Sequence, residues 1–189
     1  VQRMTSINNQ VDRWLDIHFP EYQTIFSDWQ GKAALLTLRH FPTPEKIVSA
    51  GPEKLEAIWK ASMKRSAGLK KAQVLVAAAD KSIGRKTGLV AAEASLQNLL
   101  TEYELYREQY EQLEQLMMDL LKQVPNAEKL LDIKGVGLIT AATFVGEVGD
   151  INRFQDPRQI QKLAGFNLVE NSSGKHKGKT RISRRGRRR

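Results

Sequence analysis

Thirty-six residues, 89–124, run without a proline or glycine and carry apolar or aromatic side chains at alternating spacings of three and four. The seam reads Leu89, Ala92, Leu96, Leu99, Tyr103, Tyr106, Tyr110, Leu113, Met117, Leu120 and Val124. At about 1.5 Å per residue, a helix of this length extends on the order of 54 Å. A stripe repeating every 3.5 residues has to be covered along its length. Either the helix packs on its own domain, or two copies pair as a coiled coil. Three tyrosines in mid-seam make the interface wide and partly polar. The expected use is a coiled coil that joins subunits into a homo-oligomer.

The rest of the chain shows helical periodicity and almost no strand signal. Met4, Ile7, Val11, Trp14, Leu15 and His18 define a first helix that Pro20 closes. Ser27 precedes a run through Leu38, and Thr43-Pro44 and Gly51-Pro52 each place proline at a first helical position. Trp14, Phe19, Phe26, Trp29, Phe41 and Trp59 supply the core of this head. A helix from Leu69 to Asp80 carries Lys70 and Lys71 near Lys60, Lys64 and Arg65, a cluster that reads as a solvated face. After Pro125-Asn126 come a short helix over Glu128–Asp132, a turn over Ile133–Gly137, a helix over Leu138–Val148 and another from Asp156-Pro157 to about Ala164. The predicted class is all-α: a helical head (1–88), a long heptad helix (89–124), a helix-hairpin-helix domain (126–165), and a serine loop with a disordered basic arm (166–189).

Charge narrows the function. The chain has 30 basic and 21 acidic residues, a net +9. Nine of the cations lie within the last fifteen residues, where there is no acid, so the body before them is formally neutral. A neutral scaffold ending in a dense cationic strip predicts a polyanion-binding arm. Such residues cannot pack in a core and order only on a partner. There is no cysteine and only three histidines, which excludes disulfides and Cys-based zinc sites. Thiol absence fits a reducing cytoplasm. No apolar run reaches the roughly 20 residues that span a bilayer, so no membrane partner is expected.

The glycine turn carries the sharpest motif. Leu130, Ile133, Gly135, Gly137, Ala141 and Phe144 fit hxxhxGxGxxxAxxh (h apolar), the helix-hairpin-helix pattern. The glycines permit a cramped turn and close approach of backbone to phosphate. The following helix then offers unpaired N–H groups and its positive dipole end to the anion. Ala141 lets helices pack closely, and Lys134 adds a point charge. Lys134, Gly135 and Gly137 are therefore candidate DNA-binding residues, joined by Lys175, Lys177, Lys179, Arg181, Arg184 and Arg185 of the arm. This mode holds backbones and reads no bases. Ser172-Ser173-Gly174 precedes the arm, and by local sequence it is an ordinary loop with no base or carboxylate cluster beside it.

Taken together, L-L-D-I-K-G-V-G-L-I-T-A-A, G-E-V-G-D-I-N-R-F, Q-K-L-A-G-F and N-S-S-G-K-H-K-G-K-T-R-I-S-R-R-G resemble the C-terminal domain of one transposase family. These are the serine-bearing insertion-sequence transposases of the "IS one-ten" type, related to Piv-type DNA invertases and also called bridge recombinases. The head and long helix are similar to that family's middle region. The resemblance implies that Ser173 is a nucleophile joined covalently to DNA during strand exchange, with Ser172 as fallback. It also implies an N-terminal RuvC-like domain whose four carboxylates hold Mg2+, and a guide (bridge) RNA that reads DNA by base pairing. The RuvC-like domain would precede Val1, so the chain is read as a fragment: it binds nucleic acid, self-associates and does not recombine DNA alone. No cofactor and no metal ligand are expected in it. The alternative function is a non-enzymatic nucleic-acid-binding protein with a helix-hairpin-helix and a basic tail. A third possibility is an interaction protein whose coiled coil matters most.

Overall fold

The computed structural model describes residues 2–64, 68–166, 168–170, 178 and 180–182. It divides into two compact units, residues 1–110 and 111–189. The first contains α1 (Gln2–His18), α2 (Tyr22–Ile25), α3 (Lys32–His40), α4 (Pro44–Ser62), α5 (Leu69–Asp80) and the first part of α6 (Leu89–Lys122). The predicted all-α class holds for this unit, and the six aromatic residues expected in its core are all buried.

Local chemistry explains most element ends. Thr43 Oγ1 accepts from Lys46 N (3.4 Å) and Pro44 opens α4, as its sequence predicts. The break inside α4 falls at Gly51 (φ 73°, ψ 165°), after which Pro52 restarts the helix. The run expected to start after Ser27 begins instead at Lys32. Asp28 Oδ1 accepts from Gln30 N (2.8 Å) and Asp28 O from Gly31 N (3.3 Å), so residues 28–31 close a turn before any helix forms.

Three buried side chains in the head pair their polar atoms across elements. Tyr22 Oη donates to Ala34 O (2.6 Å), and burial pushes its phenol well above the ordinary value, keeping it neutral. Trp59 Nε1 donates to Thr37 Oγ1 (3.0 Å) and Trp14 Nε1 to Ala92 O (2.8 Å). An unmade bond at such a site costs about 1–3 kcal/mol, so these contacts select the packing as well as stabilising it. Arg39, on α3, reaches α6 by pairing with Glu104 and donating to Gln97 Oε1 (3.2 Å) and Thr101 Oγ1 (3.1 Å).

The head thereby uses the first half of the heptad seam. Leu96, Leu100 and Tyr103 are fully or almost fully buried in its core, and Ala92, Leu99 and Tyr106 pack against that core. Trp29 meets Tyr103 edge-on with ring centroids 4.9 Å apart. Farther along α6, Leu113, Leu116 and Leu120 are more than half exposed.

The connection between α5 and α6, residues 81–88, is tied down at four consecutive positions. Glu21 accepts from Ser82 Oγ (2.6 Å) and Ile83 N (3.0 Å). Gly84 N donates to Ser82 Oγ (3.2 Å), Arg85 N to Ile17 O (2.8 Å), and His18 Nδ1 to Arg85 O (3.3 Å). Burial alone would raise the Glu21 carboxyl, but the hydrogen bonds from Ser82 and Ile83 outweigh it and hold the group below its ordinary value. A lowered acid contributes stability above its unfolded pKa and loses it as pH falls through the folded one. The tie is therefore in place at neutral pH.

The second unit contains the end of α6, a 3₁₀ turn at Ala127–Leu130, α7 (Leu138–Val148), a 3₁₀ turn at Ile151–Arg153, and α8 (Pro157–Leu163). Asp156 caps α8, its side chain accepting from Arg158 N (2.8 Å). Two short strands, β1 (Leu168–Glu170) and β2 (Thr180–Ile182), pair antiparallel with Val169 opposite Arg181. This ribbon departs from the expectation of loop and arm alone beyond Gly165. Three-residue strands are too short to leave a period-2 signature. Among the described residues, no helix is long and apolar enough to cross a membrane.

Candidate nucleic-acid interface

The glycine turn has the backbone that its motif calls for. Gly135 takes φ +92°, a left-handed conformation that side chains rarely adopt, and Gly137 is extended (φ −90°, ψ 175°) as the residue capping α7. Val136 N donates to Ile133 O (2.9 Å), closing the turn, and Ala141 N donates to Gly137 O (3.0 Å), starting the helix. The N–H groups of Leu138, Ile139 and Thr140 have no acceptor among the described residues. Apart from the chain neighbours, no heavy atom of the described residues lies within 4 Å of where a Cβ on Gly135 or Gly137 would stand. The turn therefore presents bare backbone and three donors with no acceptor among the described residues, along the N-terminal end of an eleven-residue helix. Lys134 is exposed beside it.

Packing behind the turn is small but closed. Ala141 is fully buried with Leu121 and Ala127, and Leu130, Leu131, Val136, Leu138 and Val145 close round them. One expected feature differs: the limb before the turn is the 3₁₀ turn Ala127–Leu130, where the sequence predicts a helix over Glu128–Asp132. Pro125 and the left-handed Asn126 (φ 62°) follow the end of α6, and the chain then closes through i→i+3 bonds, Lys129 N to Asn126 O (3.2 Å) and Leu131 N to Glu128 O (2.9 Å), in place of the i→i+4 bonds of an α-helix. Phe144, the last motif position, is 38% exposed, so it closes the pattern without entering the core.

Arg181 lies on β2 with its side chain exposed. Lys175, Lys177, Lys179, Arg184, Arg185 and the candidate nucleophile Ser173, with Ser172, lie outside the described residues. In sequence, the segment bearing Ser173 joins β1 to β2. The head's basic cluster is partly used internally, with Lys60 Nζ 3.0 Å from Glu56 and Lys71 Nζ 4.4 Å from the centre of the Phe26 ring. Among the described residues, no group of three or more His, Cys, Asp or Glu side chains is placed to hold a metal ion.

Two family models match the chain. The HhH-GPD superfamily base excision DNA repair protein model covers residues 13–123, more than half of the sequence, and the chain belongs to that superfamily. The Transposase IS116/IS110/IS902 family model covers residues 127–189. The first match takes in most of the head and α6 and ends before the glycine turn; the second takes in the turn, the ribbon and the arm. A relative described as "Putative transposase y4qE", from Sinorhizobium fredii (strain NBRC 101917 / NGR234), is 41% identical over 54 residues. Those residues are 29% of this chain and 14% of that protein, so the chain spans only a small part of its relative. No solved structure matches it.

Proposed function

We propose that this chain is the DNA-binding, serine-bearing part of a DNA transposase or site-specific recombinase. The observation that carries this reading is the transposase match over 127–189, a stretch holding both the open glycine turn and Ser173. The turn and the first N–H groups of α7 take a backbone phosphate, Lys134 adds charge, and Arg181 extends the grip. Lys175, Lys177, Lys179, Arg184 and Arg185 continue it along the strand. None of these groups reads a base edge, so sequence choice falls to a base-pairing guide RNA.

In strand exchange, Ser173 Oγ attacks a backbone phosphorus. A Ser–O–P bond forms, one P–O bond of the strand breaks, and the released sugar oxygen takes up a proton. The serine proton passes to a base that the described residues do not supply. The arm's cations stabilise charge developing on the phosphate. Mg2+ does not fit the carboxylates described here, and it belongs with a separate RuvC-like domain. The expected result is that Ser173→Ala, assayed with that domain present, abolishes covalent protein–DNA adducts and leaves DNA binding intact. Undiminished adducts would remove Ser173 from the reaction, and a wild-type chain indifferent to DNA would overturn the whole reading.

Self-association belongs to the same proposal. The head covers the first half of the α6 seam, which leaves Leu113, Met117, Leu120 and Val124, with the exposed Leu116 beside them, as the stripe for a second copy. Sedimentation velocity should show a dimer that Leu116→Lys with Leu120→Lys converts to monomer. A wild-type monomer at high concentration would refute it.

A further inference from the structure

From Lys81 to Ala92 the chain carries three cations, Lys81, Arg85 and Lys86, and no acid. All three are exposed, and none has a carboxylate partner among the described residues. Of the nearby acids, Asp80 directly precedes Lys81 and is exposed, and two others are already engaged. Glu21 is turned inward onto Ser82 and Ile83, and Glu93 lies 2.6 Å from Lys46 Nζ. Between the cations stands Ile83, 86% exposed although its own N–H is held by Glu21.

The stretch between Lys81 and Lys86 is held. Ser82, Ile83, Gly84 and Arg85 each make at least one of the hydrogen bonds to Glu21, Ser82, Ile17 and His18 described above. A loop held merely for solubility gains nothing from such ties. A loop that meets a ligand does, because the ordering cost is met before binding. Three unpaired cations at close sequence spacing suit evenly spaced anions, and an apolar tip among them suits the sugar and base edges of a groove.

We propose that residues 81–88 form a second DNA contact, a rigid cationic clip in which Lys81, Arg85 and Lys86 take duplex phosphates and Ile83 lies against the groove. It deepens the DNA-binding reading above and rests on it. The clip is built wholly from the head, so its effect is separable from that of the glycine turn and arm.

The test is fluorescence anisotropy of the full chain with a labelled DNA duplex across a salt series, repeated with an RNA duplex of the same sequence. The triple variant Lys81→Gln, Arg85→Gln, Lys86→Gln should lower the slope of log affinity against log salt by about 0.9 for every phosphate no longer paired. At about 100 mM salt its Kd should rise on the order of tenfold. Ile83→Ala should weaken binding a few-fold with the slope unchanged, since no counterion is released there. Glu21→Ala gives the sharpest contrast, since it removes both acceptor oxygens that hold Ser82 and Ile83. It makes the protein more positive, so charge alone predicts tighter binding, whereas a clip that loses its tie binds more weakly. Circular dichroism of each variant checks that the helices persist.

An unchanged slope in the triple variant, or tighter binding by Glu21→Ala, overturns the clip while leaving the turn and arm intact. Effects confined to the RNA duplex overturn its assignment to DNA. Failure of the wild-type chain to bind DNA at all removes the parent reading and the clip with it.

Discussion

Deleting residues 175–189 is expected to cost this chain most of its DNA affinity at physiological salt and the larger part of its salt dependence. The deleted segment holds nine cations, and the sequence before it has as many acids as bases. Every phosphate that goes unpaired takes about 0.9 from the slope of log affinity against log salt, so engagement of all nine cations would account for about 8. At about 150 mM salt the expected loss is roughly 100- to 1000-fold. What remains should be weaker binding through the glycine turn, with Lys134 and the 81–88 clip supplying the residual slope. Gly135→Val in the intact chain should behave differently. It forces a side chain into a left-handed backbone and onto the approach to the N–H groups, lowering affinity with the slope nearly kept. Salt-titrated binding of both proteins distinguishes them, and a truncated protein with the parent's slope would move the phosphate contacts off the arm.

The contrast between turn and arm also shows where sequence reading succeeds. The glycine turn is legible because its geometry is local. Two glycines, a helix start and a small residue four positions on specify the geometry with no distant partner, and Gly135, Gly137 and Ala141 adopt it. Helix α5 is readable over its whole length for a similar reason, since its residues are marked off by a glycine start and a loop. The heptad seam is legible only in part. Its periodicity states that Leu96 and Tyr103 are covered, and says nothing of what covers them; Trp29 and Arg39, more than fifty residues earlier, decide that. The limb before the turn misleads because a helix-forming composition does not distinguish the i→i+3 bonds that close residues 126–131 from the i→i+4 bonds of an α-helix. The 81–88 clip is invisible for the strongest physical reason: it exists only because Glu21, His18 and Ile17 reach it across more than sixty residues of sequence.

Gly84→Ala should be the most damaging single-methyl substitution in the head. A Cβ at Gly84 would stand 2.0 Å from His18 O and 2.5 Å from His18 C, both backbone atoms that no rotamer change can move. Relief requires residues 82–85 to lift from the end of α1. That breaks the bonds from Arg85 N to Ile17 O and from His18 Nδ1 to Arg85 O, and strains those that Glu21 accepts. Overpacking and broken hydrogen bonds of this kind cost about 3 kcal/mol together, on the order of 10 °C in the melting of a unit this size. Gly88→Ala is the matched control. Apart from the chain neighbours, no atom of the described residues lies within 4 Å of its added methyl, and its backbone angle of +72° opposes the change, at about 1 kcal/mol. The two variants carry identical chemistry four residues apart, so thermal melts followed by circular dichroism isolate the close approach itself. A Gly84→Ala protein that melts with the wild type would mean that α1 and the 81–88 connection do not touch as described. The rigid backing on which the cationic clip depends would then be gone.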